Sequence, residues 1–451
     1  MDQDYLDTLC RFLAETRYED LPAEVRQRAS AVFMDTVGVI IAGSLEPEAT
    51  ALSQRLAGDN AGPSTVLRPG FPQAQPQAAA LLNGTAGVFL ELDEGHRPTG
   101  HPGVHVVPPV LALAEETGAG GRQMLEAVVL GYEVTIRLAW ACNLVPGIHP
   151  HGSLSATGAA VAAARLLGFD AGRTRHALNM AACLALAPPF SAALEGATVR
   201  NVYSGMGAHN AVLVARMVES GFTGLRDGVG EVFSKYIATG FNPQRMVEGL
   251  GKTYEIATNY FKLHAACRHC HAPLDALARA LNGGRLRPDE VDHITVASHY
   301  AAAACSRPDP QNPLAAKFSI PFAIATAIVQ GHTGVSAFQQ AAVDNPATRA
   351  LARRVSVVVD EGLARRWPQE NPARVKVVLK DGQSLTGEVD YPRGEMASAP
   401  GFQEEVRSKF LALTEPVFRG NGNARAMELL LGLEEVKNAR ELTAALRRLA
   451  R

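Results

Sequence analysis

No stretch of this 451-residue chain reaches the roughly 18 consecutive apolar residues that a membrane-spanning helix requires. The longest approach, Val32 to Ala42, is interrupted by Asp35 and Gly38. Charge of one sign is also missing. Lys plus Arg number 43 against 45 Asp plus Glu, so no global field recruits nucleic acid or an anionic membrane, and any anionic ligand must be held locally. The N-terminus, Met1-Asp2-Gln3-Asp4-Tyr5, is acidic and lacks the basic start and apolar core of a signal peptide. Cysteine is scarce. Cys10, Cys142, Cys183, Cys267, Cys270 and Cys305 lie mostly in Ala-rich apolar context, which favours buried free thiols and a reducing, cytoplasmic setting. The chain also has no Gly-x-Gly-x-x-Gly after a strand, no phosphate loop ending in Gly-Lys-Ser/Thr and no Gly-x-Ser-x-Gly elbow. Nucleotide cofactors and serine hydrolysis are therefore disfavoured, and the expectation is a soluble protein whose site needs no cofactor and no metal.

The chain exceeds the size at which single cores stop growing, so two domains are expected. Apolar residues recur at three and four spacing between Tyr5 and Ile41. The same style continues through Ala78–Phe89, Val106–Glu116, Arg122–Ala141, Ser155–Leu167, Arg173–Leu186 and Gly205–Ser220, all rich in small residues that let helices approach closely. After about residue 265 the pattern changes. Val291–Ser298, Arg354–Asp360 and Arg374–Leu379 are β-branched and alternating, and Lys380-Asp381-Gly382-Gln383 is a hairpin signal. From Gln403 helical periodicity returns. This predicts a mainly α fold, with residues 1–265 and 400–451 forming a helical domain and 266–399 a smaller α+β domain.

Four polar clusters could carry chemistry. In the first, Glu91 to His105, three imidazoles and three carboxylates sit on backbone that Pro98, Pro102 and glycines keep from continuing a helix. In the second, His149-Pro150-His151-Gly152-Ser153 precedes an Ala-rich helix, whose N-terminus favours anions. A surface turn is the plainer reading. In the third, Arg200 offers a planar fork for a carboxylate beside Tyr203, unless both are ordinary surface or buried groups. The fourth runs from Lys262 to Asp275. Cys267 and Cys270 with His264 and His271 could make a zinc site, but four ligands within eight residues are geometrically awkward. Alternatively Lys262, Arg268 and His271 face an anion-binding cleft. Histidine, carboxylate and arginine without a cofactor suit proton abstraction next to a carboxylate.

In order and spacing these clusters resemble the MmgE/PrpD family, which includes 2-methylcitrate dehydratase, cis-aconitate decarboxylase and iminodisuccinate epimerase. The similarity runs through Asp35-Thr36-Val37-Gly38, Asn83-Gly84-Thr85-Ala86, Asp93, His101-Pro102-Gly103, Gly131-Tyr132-Glu133, His149 to Gly158, Arg200 to Gly205, Cys267-Arg268 with His271, and Ala316 to Phe322. It implies a discontinuous all-helical domain capped by an α+β lid, frequent homodimers, and a cofactor-free interdomain site for di- or tricarboxylates. The family's active-site histidines fall at His101, His149 and His271, and its first-loop acidic and hydroxyl positions near Glu91, Asp93 and Gly95. Three positions depart from the pattern. Arg200 stands where the decarboxylase and the dehydratase carry lysine, Phe322 at a site tyrosine, and Gly95 at a threonine, which weighs against decarboxylation of cis-aconitate.

The resulting expectation is a lyase or isomerase that removes a proton α to a carboxylate, with dehydration ahead of epimerisation. His101 and His271 act as base and acid, His149 and Asp93 orient them or share protons, and Arg200, Lys262, Arg268, Glu91 and Tyr203 hold substrate. A non-catalytic polycarboxylate-binding protein is the alternative from another class.

Overall fold

The computed structural model describes residues 4–57, 61–395 and 399–450. The fold is mainly α, with a smaller α+β part, as the periodicities imply. The three- and four-spaced apolar residues form the helices Tyr5–Glu15, Ala23–Gly43, Pro76–Ala86, Gly103–Thr117, Gly121–Ala141, Leu154–Leu166, Ala171–Cys183 and Val199–Glu219. Small residues set how closely these pack. A Cβ on Gly131 would lie 2.7 Å from the Gly158 carbonyl oxygen and 2.8 Å from Ala162 Cβ, so the crossing of Gly121–Ala141 over Leu154–Leu166 requires glycine there.

Two boundaries move in ways that matter for the site. The segment from Arg200 to Ser204, expected to lead into a helix starting at Gly205, is already inside the Val199–Glu219 helix, since none of its residues breaks a helix. The fourth cluster is likewise helical from Arg268, within Arg268–Leu281, with Cys267 as the flanking residue. The first cluster stays irregular until Gly103, where a helix begins that takes His105 into its opening turn.

The alternating segments pair into one four-stranded sheet in the order Val355–Val359, Val291–Ser298, Ala373–Leu379, Ser384–Val389. The first pair is parallel, with Ile294 opposite Val355, and the others are antiparallel, with Ile294 opposite Val377 and Arg374 opposite Glu388. Gly382, at φ +88°, makes the hairpin turn. One face of the sheet is covered by Arg268–Leu281 and Ile320–Gln330, whose buried Leu274, Leu277, Ile320 and Ile324 share a core with Val291, Ile294, Val375 and Val377.

A separate core holds Val32, Phe33, Val107, Leu111, Val128, Ala160 and Ala211 together with Phe402, Phe410, Leu430 and Leu446. The C-terminal helices therefore pack on the N-terminal ones. Lys409 shows how tightly: its ammonium is 2.7 Å from the buried carboxylate of Asp35 and donates to the Leu92 carbonyl at 2.6 Å. No single described helix is long and apolar enough to cross a membrane.

Candidate active site

Glycine and proline around the first cluster leave its backbone without a helical ladder, and its side chains turn inward instead of into water. Glu91, Asp93 and Glu94 are all at most 1% exposed. Carboxylates buried this deeply need cations or donors, and each finds them. Glu91 is paired with the Arg200 guanidinium and, at 3.0 Å, with Lys262 Nζ. The same ammonium lies 3.0 Å from Asp93 Oδ1, and Asp93 Oδ2 lies 2.8 Å from His101 Nδ1. Arg200, Glu91, Lys262 and Asp93 thus form one chain of alternating charge, which ends against the His101 ring. Glu91 is held in it at φ +51°, a left-handed backbone that is rare and strained for a residue with a side chain.

The electrostatics follow from this chain. Burial alone would raise the Asp93 carboxyl, but Lys262, His101 and Arg200 outweigh it and hold the group well below the ordinary carboxylate range. For Lys262, burial opposes the charge while Asp93 and Glu91 overcome it, leaving the ammonium more basic than usual. Asp93 is therefore an anion and Lys262 a cation at neutral pH. Glu94 has no ion-pair partner among the described residues. Burial pushes it up to about 7, against the hydrogen bonds it accepts from Gly103 N, Tyr132 Oη and Asn259 Nδ2.

Behind His101 stand three further imidazoles. His151 stacks on His101, His149 and His105 with centroid separations of 4.6, 4.8 and 5.2 Å. Charging them together would be repulsive, and burial keeps them neutral: His105 is lowered to about 4, and His149 and His151 well below their ordinary value. His105 has a fixed tautomer. Its Nδ1–H donates to the His101 carbonyl at 2.9 Å and its Nε2 accepts the Gly152 N–H at 3.0 Å, tying the first cluster to the second. His149 Nδ1 accepts from His151 N at 3.1 Å, whereas Arg200 Nε approaches His149 Nε2 at 3.4 Å. Both ring nitrogens of His149 thus face donors.

His101, Glu91, His149 and Arg200 open onto a cavity of about 270 Å³, near the lower end of ligand-pocket sizes. Its other wall comes from the Arg268–Leu281 helix and the sheet side, with Arg268, His269, Trp367 and Asn371. Arg268 rests over the Tyr260 ring at 4.0 Å and gives one nitrogen to Glu395. Its Nε and Nη1, Arg97 Nη1 and His269 Nδ1 are buried and unpartnered among the described residues. A wall offering this many idle donors suits a ligand that brings several anionic oxygens.

The sequence that builds this body, sheet and cavity matches known family models over most of its length. Residues 7–245 match the model of the MmgE/PrpD N-terminal domain, and residues 264–435 that of the MmgE/PrpD C-terminal domain. The chain belongs to the MmgE/PrpD family. Among curated MmgE/PrpD relatives, the cis-aconitate decarboxylase-like protein oryM of Aspergillus oryzae is 25% identical, covering 97% of this chain and 96% of its own. The cis-aconitate decarboxylase of Aspergillus terreus is 24% identical over 95% of this chain and 93% of its own. The human cis-aconitate decarboxylase is 24% identical over 95% and 91%.

Of the site residues expected from sequence, this MmgE/PrpD chain brings His101, His149, Arg200, Arg268 and Glu91 to the cavity, with Asp93 directly behind His101. His271 is elsewhere. In a helix each residue turns about 100°, so two residues separate His269 and His271 by about 200°. His271 is fully buried, donates from Nε2 to the Ala266 carbonyl at 3.1 Å and meets the His264 ring edge-on at 4.9 Å. Lys262 does not line the cavity and Arg200 does, but both are bound to the protein's own carboxylates, so neither is a free clamp. Tyr203 is buried edge-on to His149 at 6.0 Å and lies off the cavity wall.

The zinc arrangement weighed for the fourth cluster does not assemble. His264 is bound to Thr333 and Asp275, at 2.5 and 3.1 Å, and His271 to a carbonyl. Asp93, His101 and His151 do present ligand atoms within 4.8 Å of one another, but Lys262 already answers the Asp93 charge.

Two of the departures from the family pattern acquire a local cause. A Cβ on Gly95 would meet Tyr260 Oη at 2.5 Å, so the tyrosine hydroxyl occupies the space of a side chain at position 95. Phe322 is buried against Phe338 and off the cavity wall. The residues that sequence reasoning missed are Arg97, His151, Tyr260 and His269. Arg97, His151 and His269 lay inside the clusters without being given a role, and Tyr260 carried no signal.

Proposed function

We propose that this protein is a lyase that removes a proton α to a carboxylate of a small di- or tricarboxylate and expels a β-hydroxyl as water, with no cofactor required. The observation that carries this reading is the Asp93–His101 pair at the edge of a cavity whose opposite wall presents Arg268. His101 Nδ1–H is held between the Glu94 carbonyl at 2.9 Å and Asp93 Oδ2 at 2.8 Å, which leaves Nε2 to take the α-proton. The electron pair moves toward the substrate carboxylate, where the idle nitrogens of Arg268 stabilise the added charge. It then forms the C=C bond as the β-carbon–oxygen bond breaks. His269 supplies the proton that leaves with that oxygen. Burial first, and then the neighbouring His299 and Arg268 side chains, lower His269 to about 3, and the negative charge of a bound polyanion works against this by favouring the imidazolium, the form that can give up a proton. Lys262 and Arg200 pair with Asp93 and Glu91 rather than touching substrate.

Decarboxylation is the second reading, favoured by the names of the relatives and opposed by the engagement of Arg200 with Glu91. Proton NMR in deuterium oxide with citrate-like and malate-like hydroxy acids, aminodicarboxylates and cis-aconitate separates the outcomes. An alkene formed with loss of water is the expected result. Release of carbon dioxide from cis-aconitate replaces it with decarboxylation. Solvent exchange with inversion but no elimination makes the protein an epimerase, and binding without any turnover or exchange ends the enzymatic reading.

A further inference from the structure

A second cavity, of about 640 Å³, lies between the helices Ala23–Gly43 and Phe402–Thr414 and shares no lining residue with the first. Its floor contains Arg28. This arginine is 8% exposed, its guanidinium lies 4.8 Å from the Phe402 ring centroid and 5.8 Å from that of Phe261, and it has no hydrogen bond or ion pair among the described residues. Of the other charged groups lining the pocket, Glu24 sits one turn before Arg28 on the same helix without bonding it, and the rest are engaged. Arg26 lies over the Tyr18 ring at 5.2 Å, Tyr18 Oη donates to Glu434 at 2.6 Å, and Arg407 pairs with Glu428 at 3.1 Å. A buried charge ordinarily has a partner, and a guanidinium stacked on aromatic rings still has its in-plane N–H groups to give. Around it Met34, Phe261, Phe402, Val406 and Leu431 make an apolar wall.

We propose that this pocket binds an amphipathic monocarboxylate: a carboxylate held edge-on by the fork of Arg28, with an alkyl or aryl body against Phe261, Phe402 and Leu431. The ligand class differs from that of the catalytic cavity, which is smaller and walled by donors suited to a polyanion. The pocket also has a physical link to that cavity, since Phe261 immediately precedes Lys262.

The test is calorimetric titration and thermal shift with octanoate, with octanamide as the neutral match. The expected result is saturable octanoate binding to the unaltered protein, about tenfold or more weaker in Arg28→Gln, and no binding of octanamide. Gln403→Trp, at an exposed rim position, fills the mouth without touching the core and is expected to abolish binding even if Arg28→Gln does not fold. Arg268→Gln is expected to leave octanoate binding intact. Equal binding of octanamide, retention of octanoate binding in both pocket variants, loss of it in Arg268→Gln, or no binding at all would each overturn the proposal.

Discussion

Glu94→Gln tests the electrostatics of the first cluster most directly. The carboxyl of Glu94 is buried and pushed from 4.5 up to about 7 because burial outweighs the three donors it accepts from. In the unfolded chain the group ionises near 4.5. Above that pH the unfolded state has released a proton that the folded state still holds, so stability falls as pH rises, and the loss is complete once pH passes about 7. A shift of about 2.5 units amounts to about 3 kcal/mol, of which roughly 2 falls between pH 5.5 and 7.5. The amide introduced by the substitution does not titrate. Its oxygen can still accept from Gly103, and its amide nitrogen, in the place of Oε2, faces the Tyr132 hydroxyl, which can accept as well as donate. Urea unfolding of both proteins from pH 5 to 8 measures the difference. Glu133, also raised to about 7 by burial, bends both curves equally, so subtraction removes it. The variant should gain on the native protein steadily as pH rises. A difference that is flat in pH, or one that favours the native protein at pH 8, would show that Glu94 is ionised when folded and refute the reasoning.

Asp93→Asn should lower kcat by about 100-fold to 10,000-fold, because His101 loses the anion that orients it, and turnover within threefold of the native rate would remove Asp93 from the mechanism. It should also cost about 3–5 kcal/mol in urea unfolding, since Lys262 loses one of its two buried partners. Paired substitutions divide the two histidines of the Arg268–Leu281 helix: His269→Gln is expected to cut kcat by about 100-fold or more, and His271→Gln to cost about 1–3 kcal/mol of stability with kcat nearly unchanged. The reverse pattern would restore His271 to the site. Arg268→Gln should raise the substrate KM by about 10-fold to 150-fold, the equivalent of a charge-assisted hydrogen bond worth about 1.5–3 kcal/mol, and an unchanged KM would place the carboxylate elsewhere.

Local chemistry is what the sequence exposes most clearly here. The Ala-rich helices, the three long strands and the Asp381-Gly382 turn all follow from periodicity and turn residues over a dozen positions. The first cluster could be recognised as a site because proline and glycine interrupt an otherwise helical pattern among ionisable side chains. What could not be read was which charges meet. Lys262 reaches Glu91 and Asp93 across 171 and 169 positions, and no local pattern distinguishes a lysine that holds protein carboxylates from one that holds substrate. That His269 lines the cavity and His271 does not has a geometric reason: it depends on where the helix begins, and Cys267 as its flanking residue has no capping side chain to announce it. Position 95 was equally opaque, because Tyr260 fills it from 165 residues away.

The grip of Lys409 on Asp35 and on the Leu92 carbonyl has a consequence for biogenesis. A ribosome emits the first cluster early, with its histidines and acids in hand, yet the backbone that must hold Glu91 in its strained conformation is braced by a side chain that emerges more than 300 residues later. Until then the nascent protein carries several carboxylates and imidazoles on an unbraced loop, with Lys262 and the other wall also still to come. Catalytic competence should therefore arise in a single late step, once the tail has wrapped back onto the body, rather than accumulate as the domains appear.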